Sequence, residues 1–135
     1  MPRTEHDYLG ERELQDDWYY GIQTLRGLEA SPHTERTLIS YAPKLIYYMA
    51  AIKKAAAKAN EEAGKISSEQ GRAIREAAEE VMSGKWNAQF PTDSFTGGGG
   101  VSIHMNMNEV IANRANELMT GEKGYVQVHP NTHVN

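Results

Sequence analysis

Pro43-Lys44-Leu45-Ile46-Tyr47-Tyr48-Met49-Ala50-Ala51-Ile52-Lys53-Lys54-Ala55-Ala56-Ala57-Lys58-Ala59-Asn60-Glu61-Glu62-Ala63-Gly64 is a stretch with one reading. Leu45, Tyr48, Met49, Ile52, Ala55, Ala56, Ala59 and Ala63 recur at helical spacing, and Lys44, Lys54, Lys58 and Glu61 fall mostly elsewhere on the wheel. Pro43 is tolerated in a first turn, and Gly64 supplies a stop. The spacing predicts an amphipathic helix over 43–63. Its alanines offer a face that another helix can approach closely.

Downstream, Ser67 and Gln70 have capping-box spacing and open a second helix over about 68–82. Its apolar stripe is Ile74, Ala77, Ala78, Val81 and Met82, and Gly84 closes it. Arg72, Arg75, Glu76, Glu79 and Glu80 read as its solvated face. Residues 85–101 read as a loop that ends in Gly97-Gly98-Gly99-Gly100. A third helix is expected from about 104 to 119, with Met107, Val110, Ile111, Ala115 and Leu118 buried and Gly121 ending it. Asn106, Asn108, Asn113 and Asn116 are poor helix formers, so some of them are expected to make buried hydrogen bonds. The tail over 122–135 reads as loop, with Pro130 against any helix there. Upstream, residues 1–40 are punctuated by Gly10, Gly21, Gly27 and Pro32 and suggest turns with a small hairpin around Tyr8 to Tyr20.

The chain has 135 residues, one domain's worth, and no cysteine. With 14 basic and 18 acidic residues, it carries no electrostatic footprint for nucleic acid. The polar start Met1-Pro2-Arg3-Thr4-Glu5-His6-Asp7 lacks the apolar core of a secretory signal, and Ile46–Ile52 is too short to span a bilayer. The composition reads as soluble and cytoplasmic, with no nucleic-acid or membrane partner.

The glycine run entering a helix carries the chemistry. Four glycines cost backbone entropy that a plain connector has no reason to spend. They let N–H groups approach a ligand, and the helix behind them adds unpaired N–H groups and a partial positive charge. That suits a carboxylate or phosphate, with Ser102 as a hydroxyl donor. The alternative is a flexible connector with Ser102 as an N-cap. No Walker A ending follows the glycines. His104, near the helix start, is expected to be held neutral by the dipole, beside an anion or in a capping or packing role. His129 and His133 have i, i+4 spacing, but Pro130 between them argues against a metal pair.

Five strings then resemble one family. Asp17-Trp18-Tyr19-Tyr20-Gly21-Ile22-Gln23-Thr24-Leu25-Arg26 is similar to the amino-terminal motif of aspartases, the aspartate ammonia-lyases of the aspartase/fumarase superfamily. Lys53-Lys54-Ala55-Ala56-Ala57 resembles the family's first long helix. Gln89-Phe90-Pro91-Thr92-Asp93 resembles the segment before its glycine loop. Met105-Asn106-Met107-Asn108-Glu109-Val110-Ile111-Ala112-Asn113 and His129-Pro130-Asn131-Thr132-His133-Val134-Asn135 resemble two further segments. The match runs in order along nearly the whole chain.

The resemblance implies a mainly α fold: the orthogonal helical amino-terminal domain of the aspartase/fumarase fold, over 1–135, with a short extended N-terminal segment, truncated before the central helical bundle. It implies an ammonia-lyase taking L-aspartate to fumarate and ammonia, cofactor-free and metal-free, homotetrameric when complete. Gly99, Gly100, Val101, Ser102, His104 and Asn106 are the implied substrate-binding residues. His129, Asn131 and Thr132 map to an accessory carboxylate position. Val101 and His104 stand where the family has threonine and asparagine, which bears on the substrate. The family's Gly-Ser-Ser loop with the catalytic serine is not in the string, so no catalytic residue is expected here and the chain alone is expected to be inactive. Without the bundle, apolar surface on the 45–63 helix is expected to stand uncovered. A class II fumarase or related dicarboxylate lyase is the nearest alternative, and a non-catalytic helical interaction module is the alternative of another class.

Overall fold

The computed structural model describes residues 2–31, 34–96 and 98–135; the expected punctuation at Pro32 and the first loop glycine, Gly97, lie outside the described residues. The fold is mainly α, as expected. The antiparallel hairpin β1 (Arg3–Asp7) and β2 (Gly10–Leu14) leads into helix α1 (Ile22–Ala30). The short α2 (Leu38–Tyr41), α3 (Pro43–Glu62), α4 (Ser68–Met82) and α5 (Val101–Thr120) follow. The hairpin sits earlier than expected, turning at Tyr8-Leu9, and α1 was not expected at all.

The second helix forms as its spacing predicts. Ser67 accepts from the Gln70 backbone N–H while the Gln70 side chain accepts from the Ser67 N–H, and Ile74, Ala77, Ala78 and Val81 are buried. Its charged face is only partly solvated. Glu80 is held by Arg114, Trp86 and Lys85. Burial pushes its carboxyl up, yet those bonds outweigh burial and bring it to about 2.

On α3 the packed face is not the expected one. Ile46, Ala50, Lys53 and Ala57 face the core, whereas Leu45, Tyr48 and Ile52 are exposed. The amino-terminal half of α3 is apolar nearly all round, so periodicity did not select a face. The slender row of Ala50 and Ala57 lets α3 pack close against α4. The uncovered stripe agrees with apolar surface expected on this helix.

Helix α5 is the central element. Met107, Val110, Ile111, Ala112 and Ala115 are buried. Its asparagines hold flanking loops, as expected. Asn106 accepts from Thr92 Oγ1 and donates to Gln89 O. Asn113 donates to Tyr19 O and accepts from Gly124 N, and Asn116 fastens the backbone at Gln127 and Val128. Helix α5 begins at Val101, earlier than expected, and the 85–101 loop contains 3-10 turns at Asn87–Gln89 and Gly98–Gly100. The tail corrects the expectation of a plain loop. Pro130–Val134 is a π turn, with Pro130 in its opening position, where a missing N–H costs nothing.

Gly21 joins hairpin, α1 and α5. A Cβ there would lie 2.0 Å from Tyr125 Oη and 2.9 Å from Glu109 Cδ. Both neighbours are confined, so Gly21→Ala is expected to lose about 1–3 kcal/mol by overpacking, checked by urea denaturation. Stability within about 0.5 kcal/mol of wild type would show that the junction yields.

Candidate carboxylate site

Gly98, Gly99 and Gly100 all have positive φ, at 72°, 63° and 89°. Three successive left-handed residues are strained for any side chain but glycine. The turn delivers the chain into α5 with Gly100 as N-cap, no side-chain cap and no acid in the first turn. Space around the Cβ positions of Gly99 and Gly100 is open. Among the described residues no side chain accepts from the leading N–H groups of α5, which lie at the positive end of a 20-residue helix.

The contrast with α1 is instructive. There Glu109, almost fully buried on α5, accepts from Gly21 N, Gln23 N, Thr24 N and Thr24 Oγ1, at 2.6–3.0 Å, and Glu5 accepts from Ile22 N at 2.9 Å. The same kind of helix end is filled by the protein's own carboxylates. At the α5 start, no such carboxylate of the described residues accepts from the leading N–H groups.

The expected substrate residues separate into groups. Gly99, Gly100 and Val101 line the opening of α5, and the Val101 side chain is 60% exposed. Ser102 turns toward α1, where its Oγ lies 3.0 Å from the Cβ position of Gly27. His104 lies one turn along α5 from Gly100. Its Nε2 is 2.9 Å from Lys53 Nζ and 3.3 Å from Asn108 Nδ2. Burial and the Lys53 charge both push His104 below its ordinary value, so it is neutral near pH 7. Asn106 points elsewhere, its amide spent on Thr92 and Gln89.

The accessory residues form another region. His129 and Asn131 line a cleft of about 510 Å³ with His6, Gln23, Met105 and Tyr125. His129 Nδ1 accepts from Asn131 N and Thr132 N, so it caps the π turn, and His133 Nδ1 accepts from His129 N. Both histidines thus commit a ring nitrogen to the turn itself. Thr132 is exposed at its surface.

Two residues here were not singled out from the sequence. Lys53 entered only within the string that resembles the family's first long helix, and only the α3 packing places it at His104. Glu109 entered only within the 105–113 string, and its partners lie 85–88 residues away.

Comparison with known proteins agrees with the resemblance. A family model described as Lyase matches residues 10–135. Aspartate ammonia-lyase from a Bacillus species is 52% identical over 134 residues, 98% of this chain and 28% of that protein. Class II fumarate hydratase from Halobacterium salinarum is 46% identical over 98% of this chain and 28% of its own length. The crystal structure of fumarate lyase:delta crystallin from Brucella melitensis in native form superposes with a TM-score of 0.96 at 43% identity, covering all of this chain and 31% of that one. The chain therefore spans under a third of the length of these relatives. A family model over most of its length, and a backbone that follows a solved fumarate lyase throughout, establish that this chain belongs to the lyase family that includes aspartate ammonia-lyases and class II fumarases.

Proposed function

We propose that residues 1–135 form the amino-terminal domain of an ammonia-lyase that takes L-aspartate to fumarate and ammonia, and that this domain supplies a carboxylate-binding cradle. The supporting observation is the uncapped start of α5 behind three left-handed glycines. In such an elimination a base removes a proton beside the side-chain carboxylate, and the resulting dianion needs donors fixed in advance. Backbone N–H groups at a helix start meet that need without reorganisation. On this reading Gly99, Gly100, Val101 and His104 form the substrate region, Ser102 and Asn106 support it through their contacts at Gly27 and with Thr92 and Gln89, and His129, Asn131 and Thr132 stand at an accessory carboxylate position. The general base comes from elsewhere in the complete protein, a cytoplasmic homotetramer whose central helical bundle covers α3. No helix among the described residues is long and apolar enough to cross a membrane.

A graft tests the substrate. Residues 1–135 replace the matching segment of the Bacillus aspartate ammonia-lyase, with which they share 52% identity. The graft is expected to release ammonia from L-aspartate and not to hydrate fumarate. Fumarate hydration without ammonia release would favour the fumarase reading. In the same graft, Val101→Thr is expected to leave kcat/KM for L-aspartate unchanged or lower. A new hydroxyl donor to a carboxylate would be worth about 1.5–3 kcal/mol, or about ten- to a hundredfold, only if nothing else fills that role. A gain of that size would show that valine is simply a lost donor.

A further inference from the structure

Lys53 lies on the packed face of α3, 9% exposed. Its neighbours are neutral: His104 Nε2 at 2.9 Å and Asn135 Oδ1 at 3.4 Å. Among the described residues no carboxylate lies within salt-bridge distance of it, whereas Arg3, Arg26, Lys54, Arg75 and Arg114 each face an acid. An ammonium taken out of water without a counter-charge is unfavourable, and one imidazole does not compensate for it. Burial accordingly pushes the Lys53 pKa down.

Asn108 is fully buried, its Nδ2 is turned toward His104, and its Oδ1 has no hydrogen-bond partner among the described residues. The group is thus a buried cation with unspent polar capacity beside it. His104 stacks on Gly100 and Val101 along α5, at i+4 and i+3, so this group adjoins the open helix start.

We propose that Lys53 is the counter-charge for a ligand carboxylate seated at the start of α5, and that His104 is its positioning residue. The proposal rests on the reading of that helix start as a carboxylate site. A Lys53 ammonium donates to His104 Nε2, which fixes the imidazole with its proton on Nδ1 and holds the ammonium toward the glycine turn. The helix N–H groups then supply direction and Lys53 supplies charge, a pairing that favours a dianionic small acid over a neutral amide. A stability cost in the empty site is the physical signature of such a residue, because the same charge is satisfied only when the ligand arrives.

Succinate is the probe, and the 135-residue chain is the protein. Lys53→Met is expected to raise the melting temperature of the ligand-free chain by a few degrees, since an apolar side chain of similar volume replaces an unpaired charge. The same variant is expected to bind succinate at least about tenfold more weakly, whereas Lys53→Arg, which keeps the charge on a larger planar head, is expected to lose less than Lys53→Met. In the wild type, succinate is expected to raise the His104 pKa read from its ring-proton shifts, because an anion arrives beside it. That readout needs no variant. Unchanged succinate affinity in a folded Lys53→Met chain, or a His104 titration indifferent to succinate, would overturn the proposal. Amide shifts at Gly98–Ser102 in the same samples separate the two ideas. If they move while His104 does not, the helix start binds carboxylate without Lys53; if they are still, the underlying reading fails as well.

Discussion

Glu109→Ala is expected to destabilise the chain by about 3–5 kcal/mol, a large part of the stability of a domain this size. Glu109 is 1% exposed and satisfies three backbone N–H groups and one hydroxyl at the start of α1. Alanine leaves all four donors without their carboxylate partner. Glu109→Gln keeps one acceptor oxygen and is expected to cost less. Its dependence on pH has a definite sign. Burial pushes the Glu109 carboxyl from 4.5 up to about 7, against donors that pull it down. Between those values the folded chain holds a proton that the unfolded chain releases. The group's stabilisation is therefore full below the unfolded value and is lost as pH rises through about 7. Glutamine does not titrate, so the gap between wild type and Glu109→Gln is expected to narrow from pH 5 to pH 8 in urea denaturation. A gap that widens would show that the four donors dominate and keep the group ionised throughout.

The isolated chain is expected to produce no fumarate from L-aspartate, against the rate accelerations of 10⁶ or more typical of enzymes. A base must reach the substrate carbon. At the start of α5, Val101 has no proton acceptor, Ser102 turns into the contact with Gly27, and His104 Nε2 already faces the Lys53 ammonium. These groups bind and orient, and none is placed as a free base. Fumarate absorbance in a spectrophotometric assay checks this. Turnover that persists through further purification and is abolished by His104→Asn would make His104 the base.

Much of this fold is legible residue by residue. The 68–82 helix carries its cap, stripe and stop within its own sequence, and the structure uses each of them. The α5 stripe and its buried asparagines are likewise local, because amides in a helix interior need partners. What escaped is what depends on distant residues. Helix α1 is only nine residues long, and carboxylates from β1 and α5, distant in the chain, hold its start. The packed face of α3 is chosen by α4 and α5, since its own residues are apolar on more than one side. In the tail, Pro130 looked like a bar to helix because its place at the first position of a turn depends on the His129 cap. At the candidate site the glycine run is legible in the sequence, and the structure uses it for three successive left-handed residues. The place of Lys53 is not legible there, because nothing near it in the chain says that it meets His104, 51 residues away.

The central claim, that the start of α5 binds a carboxylate, is tested most directly by titrating the 135-residue chain with fumarate and following its backbone amide resonances. The account predicts progressive, saturable shifts at Gly98, Gly99, Gly100, Val101 and Ser102, and at His104, with weak affinity because one helix end supplies only part of a complete site. Saturable shifts confined to the cleft around His129 and Asn131, or no shifts along 98–104 at any fumarate concentration, would contradict it.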